Sequence, residues 1–276
     1  MHHLVANSGL TSDLGHLFAF LAPFIVIAIA IHLFEQLVQR RLARRFGWKS
    51  ILFTGWLGTP IHEFSHVVMC YTFRHKIDEM ALFRPDEESG RLGFVRHSFQ
   101  KGNWVQEFGN LFIGIAPLIG GTLALTALMF VFYPDVTRDL FAGSSESLAA
   151  EGSWWERMSG PIQSTFFQIL SWENFRTIQF WLFLYLVLCV ASHMAPSRSD
   201  YVGAWKPMLF SLIAIGVAFV VLSLLGVATT ITEFLSQLTR PLIGMFSLSI
   251  GLCGVVAIVI FALTSIWDIF GKKRVA

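Results

Sequence analysis

The chain has 276 residues, of which 54% are apolar and only 14% charged, and its mean hydropathy is +0.62. A soluble domain carries roughly 25% charged residues, so an ordinary water-solvated fold is excluded. The net charge of +2 also offers little to a nucleic-acid partner.

The missing charge is concentrated in six apolar runs, at about 14–38, 51–72, 107–132, 177–195, 206–227 and 243–269. Crossing about 30 Å of hydrocarbon takes roughly 20 residues of helix, and lipid leaves the backbone no partner but itself. The expected fold is an all-α polytopic membrane protein, a single membrane domain over 1–276 with about six transmembrane helices. The first run lacks the basic n-region and cleavage site of a signal peptide and reads as a permanent helix. His2 and His3 carry no assigned role.

The second run holds His62-Glu63-Phe64-Ser65-His66. Positions i and i+4 of a helix share a face, so His62 and His66 are candidate ligands for one zinc ion. Glu63 between them is a candidate general base. A soluble helix solvates such residues on its outer face, whereas a spanning helix cannot, and a shared metal removes the difficulty. After this run, Met80–Arg84 and Leu92–His97 flank a turn rich in Pro, Asp, Ser and Gly. That pattern predicts a small membrane-associated β-hairpin at about 79–97.

The third run contains Asn110, Gly114, Pro117, Gly120 and Gly121. The glycines permit close helix approach. Pro117 removes one helical hydrogen bond and frees a carbonyl, which suits either a packing kink or a contact with substrate. The long connection 133–176 carries Trp154, Trp155 and Trp172 beside Phe166, Phe167 and Ile169. Tryptophan favours the membrane interface, so short interfacial helices forming a cap are expected there.

The fourth run closes on Ser192-His193-Met194-Ala195-Pro196-Ser197-Arg198-Ser199-Asp200. Catalytic zinc takes three protein ligands, and Asp200 is the leading candidate for the third, with His193 its rival. Cys70, Cys189 and Cys253 lie far apart without a CxxC and read as buried thiols. Lys and Arg divide almost evenly between the two faces; a slight excess on the hairpin side leans toward that side and both termini in the cytoplasm and leaves the orientation open.

Together these residues resemble the site-2 protease family of intramembrane zinc metalloproteases. His62-Glu63-x-x-His66 matches the family's HExxH, Ala116-Pro117-Leu118-Ile119-Gly120 is similar to its Pro-containing motif, and Pro196 to Asp200 is similar to its third motif. Gly120 stands where the family usually has Asn, Tyr201 follows Asp200 where Gly is usual, and Ser192 occupies another usual Asn position. The resemblance spans about 51–203. It implies one zinc per chain on His62, His66 and Asp200, with Glu63 as base and a transmembrane protein as substrate. It leaves Ser192, His193 or Asn110 to stabilise the oxyanion, and implies that the hairpin pairs with extended substrate. Two other functions fit the composition: a zinc-binding scaffold that no longer cuts, and a proton-relay transporter. The short chain suits a bacterial inner membrane, and its oligomeric state is left open.

Overall fold

The computed structural model describes residues 26, 28–149, 163–197, 199–200, 205–225, 245–246 and 248–265. Residues 14–25 of the first expected run, Trp154 and Trp155 of the expected cap, residues 201–203 and the end of the sixth run lie outside them.

The chain is mostly helical. Helix α1 covers 28–46 and α2 Trp48–Thr72, followed by strands β1 (Lys76–Ala81) and β2 (Phe94–Ser98). Helices α3 (Trp104–Phe132) and α4 (Pro134–Ala149) come next, then short α5 at 163–169 and α6 at Trp172–Phe175. Helix α7 is Ile178–Ala191, α8 Trp205–Leu224 and α9 Leu248–Ser265.

Among the described residues, α3, α8 and α9 are long and apolar enough to cross a membrane. Helix α2, with 25 residues, spans about 37 Å at roughly 1.5 Å per residue. The polar residues of its motif keep its hydropathy lower. Helix α7 has 14 residues and is the short member of the bundle.

Two boundaries differ from the sequence reading. Helix α1 runs on to residue 46 and takes in Arg40, Arg41, Arg44 and Arg45, which were expected in a loop. Arginine is a good helix former, and a polar stretch without Gly or Pro does not end a helix. The break comes at Gly47, whose φ of 69° lies in the left-handed region that glycine enters without steric cost. This single residue joins α1 to α2. The other difference is α4, 16 residues long, where shorter helices were expected. Helix starts are otherwise capped in the usual way: the Asn103 side chain accepts from the N–H groups of Val105 and Gln106 ahead of α3, and Thr177 from that of Phe180 ahead of α7.

Helices α2, α3 and α7 pack against one another as a central triad. Their approach is close where side chains are small. A Cβ on Gly58 would lie 2.1 Å from the Cys189 carbonyl of α7, and one on Gly120 would lie 1.9 Å from Ser65 Oγ of α2. Leu125, Met129, Phe180, Phe183 and Val187 fill the core, joined by Ile31, Leu248 and Leu252 from the flanking helices. Large apolar side chains such as Val131, Ile178, Phe210 and Ile258 are exposed on the outside. Hydrocarbon is the solvent that suits such a surface.

The two strands pair antiparallel from Lys76↔Ser98 to Ala81↔Phe94, with an irregularity between Ile77 and Glu79. The hairpin is thus slightly longer than its sequence signature. Histidines dock it to the helices. His75 Nε2 donates to the Gln106 carbonyl of α3 at 2.8 Å, which leaves His75 Nδ1 to accept from His97 Nδ1 of β2 at 3.0 Å. Phe99 stacks on the same His75 ring.

Burial, then the neighbouring His75 and His66, push the His97 imidazole below its ordinary value, and Asp78 opposes them. A folded-state value below the unfolded one of about 6.5 means that the hairpin docks fully above that pH and loosens as pH falls through the folded value. Protection of the β1 and β2 amides, corrected for the intrinsic exchange rate, is therefore expected to fall from pH 7.5 to 5.5, and to lose this dependence in His97→Asn; pH-independent protection of the wild-type strands would contradict it.

Candidate metal centre

His62 and His66 sit one turn apart on α2, and both rings turn to the same side. Each ring is fixed by its far nitrogen. His62 Nδ1 lies 2.7 Å from the carbonyl oxygen of His193, and His66 Nδ1 lies 2.9 Å from that of Ile113. A carbonyl only accepts, so both Nδ1 atoms carry the proton and both neutral rings present an Nε2 lone pair. Those two Nε2 atoms are 3.3 Å apart. Asp200 closes the triangle, with Oδ2 3.5 Å from His62 Nε2 and Oδ1 3.5 Å from His66 Nε2.

Two lone pairs and a carboxylate facing one another at this range repel unless positive charge lies between them. A proton added to one Nε2 supplies it, and so does a metal cation; either leaves both Nδ1 bonds in place, and a far nitrogen held by a carbonyl is the arrangement that orients histidine ligands generally. The spacing also fits. In a tetrahedral zinc site with bonds of about 2.0–2.1 Å, neighbouring donor atoms are about 3.3 Å apart. Among the described residues, His62, His66 and Asp200 form the group able to hold a metal ion.

Pro117 accounts for one of the two carbonyls. Its ring nitrogen has no proton to give the carbonyl four residues earlier, and that residue is Ile113, whose oxygen accepts from His66. Pro117 itself is buried in α3 and does not line the cavity beside the histidines, so it reaches the site through the carbonyl it frees. Pro117→Ala restores a competing N–H donor. Its zinc affinity is expected to fall about tenfold with no loss of thermal stability, measured by chelator competition beside a melting curve; unchanged affinity would contradict the link.

The triangle opens on a cavity of about 1080 Å³, bounded by α1, α2, α3, the hairpin and the stretch after α7. Glu63, Asn110 and His193 line it too. Glu63 is 8% exposed and lies beneath the hairpin: a Cβ on Gly93 would sit 2.8 Å from Glu63 Cγ and 2.8 Å from the Ala81 carbonyl. Only glycine lets the strand connection approach the carboxylate this closely. Among the described residues Glu63 makes no hydrogen bond.

The remaining sequence candidates fall into place as follows. Asn110 Nδ2 donates back to the Gln106 and Glu107 carbonyls of its own helix. Ser192 Oγ donates to the Leu188 carbonyl at 2.6 Å and does not line the cavity. His193 offers the site its backbone carbonyl, while its ring Nδ1 engages Ser192 Oγ at 3.0 Å.

Four side chains of α1 that sequence reasoning passed over also reach the cavity, namely His32, Glu35, Gln36 and Gln39. The signal was present: an acid in an apolar run, with polar residues three and four positions away. Comparison with family models, with curated proteins and with solved structures finds no match.

Proposed function

We propose that this chain is an intramembrane zinc metalloendopeptidase of the site-2 protease type, with about six membrane spans, that cleaves transmembrane proteins. The observation that carries the reading is the triangle of His62, His66 and Asp200, with both Nδ1 protons committed elsewhere and Glu63, without a hydrogen bond among the described residues, on the same helix.

His62, His66 and Asp200 would hold the metal. When bound, zinc supplies a Lewis acid for a peptide carbonyl and lowers the pKa of a water to about 7. Glu63 takes the proton that the attacking water gives up and passes it to the leaving amine nitrogen as the C–N bond breaks. Water adds across that bond, leaving a carboxylate and a protonated amine. The hairpin contributes position. Phe94, Val95, Arg96 and His97 of β2 line the cavity, so a substrate unwound into extended form can pair along that strand. The site lies among helices whose outer faces are apolar, which suits a substrate arriving from the bilayer, in this reading a bacterial inner membrane.

The test uses purified full-length protein and a single-pass model substrate whose helix is weakened by Gly or Pro. Two new fragments are expected, lost on zinc chelation and restored by added zinc. Cleavage indifferent to chelation would overturn the proposal, and an ion-gradient-dependent flux with no cleavage would favour a proton relay instead.

A further inference from the structure

We infer that Glu35 and Gln39 of α1 are positioning residues of the metal centre, holding the turn that orients His62 and leads to Asp200. The inference rests on the metal reading above and adds a part that lies outside its motifs.

Helix α1 presents His32, Glu35, Gln36 and Gln39 at spacings of three and four, on one face, and all four line the cavity. They divide by what they touch. His32 and Gln36 satisfy each other, Nε2 to Nε2, at 2.6 Å, and Arg40 donates to Gln36 Oε1 at 2.7 Å, so this pair closes within its own helix. Glu35 and Gln39 reach out of theirs. The Ala195 N–H donates to Glu35 Oε2, and Gln39 Nε2 donates to the Ser192 carbonyl. The second hydrogen of that amide goes to Glu35 Oε1 at 3.1 Å, locking the two side chains to each other.

These contacts bracket His193. Helix α7 ends at Ala191, and the chain beyond a helix end needs partners that the helix cannot supply. The N–H groups of Ser192 and His193 still bond back to Leu188 and Val190. The Ser192 carbonyl and the Ala195 N–H do not, and α1 satisfies both. Between them the His193 carbonyl accepts from His62 Nδ1, the bond that fixes the ring's tautomer and aims its Nε2 at Asp200. Five residues beyond Ala195 the same stretch supplies Asp200 itself. A carboxyl oxygen that accepts from the Ala195 N–H gives it the partner the helix end lacks, so Glu35 is an anchor for this turn. Without the anchor the His193 carbonyl can swing away, His62 loses its fixed tautomer, and one edge of the triangle becomes loose.

The experiment measures zinc affinity of the detergent-purified full chain by competition with a chromogenic chelator, with helicity followed by circular dichroism. Gln39→Leu and Glu35→Leu are expected to bind zinc about 10- to 100-fold more weakly. Glu35→Gln keeps an acceptor oxygen for the Ala195 N–H and is expected to stay close to wild type. Gln36→Leu, on the same face but not touching the turn, is expected to bind like wild type. If a leucine variant fails to fold, Gln39→Asn, too short to reach Ser192, carries the test with the same expected loss. Wild-type affinity in the Gln39 variant overturns the inference while the metal centre stands. So does an equal loss in Gln36→Leu, or a loss in Glu35→Gln as large as in Glu35→Leu. A wild-type chain that binds no zinc overturns the metal centre and this inference together.

Discussion

Glu63→Gln is expected to reduce peptide cleavage by at least about 100-fold, the lower end of what a positioned general base contributes, while the protein keeps its zinc. Glu63 shares α2 with the two histidines but stands outside the triangle formed by His62, His66 and Asp200. Glutamine is nearly the same size, so the contact with Gly93 survives and only the ability to accept a proton is lost. The measurement pairs a cleavage assay with metal analysis of the same preparation. Retained cleavage would remove Glu63 from the chemistry. Loss of both cleavage and zinc would show that Glu63 belongs to the metal's own surroundings.

Asp200→Ala is expected to have the other large effect, on binding. Apparent zinc affinities of four-ligand sites correspond to about 10–16 kcal/mol, or roughly 2.5–4 kcal/mol for each ligand. Removing one ligand therefore weakens binding about 100- to 1000-fold. The geometry adds to the loss. Asp200 places one oxygen 3.5 Å from each Nε2, and it carries the negative charge that partly neutralises a divalent cation in a poorly solvated site. A chelator titration of the variant beside the wild type checks this. Equal affinities would move the third ligand elsewhere.

Much of the site is readable from the chain because its central residues obey local rules. The i, i+4 spacing of His62 and His66 puts two imidazoles on one helical face whatever surrounds them. Asp200 stands out as an acid following Pro196 at the end of an apolar run. The hairpin announces itself by two short runs flanking Pro85 to Gly90.

What was hidden depends on which elements meet. Pro117 predicts a freed carbonyl at Ile113, but nothing local says that His66 will take it. The His193 ring looks like a ligand in the sequence, whereas its backbone oxygen is what reaches His62. Glu35 and Gln39 find their partners about 150 residues further along the chain, so no window of sequence contains the contact. The arginines of α1 suggest a loop by their charge, yet they are helical and Gly47 alone makes the break. The number of spans is the other coarse point: the polar residues of α2 lower its hydropathy, and three helices among those described are long and apolar enough to cross.

The measurement that bears most directly on the central claim is the zinc content of the full chain, purified in mild detergent without chelators, beside His62→Ala. One zinc per wild-type chain and none in the variant is the predicted result. Wild-type protein that holds no zinc, even after incubation with the free ion, would contradict the metal centre and leave His62, His66 and Asp200 as a proton-bridged polar cluster.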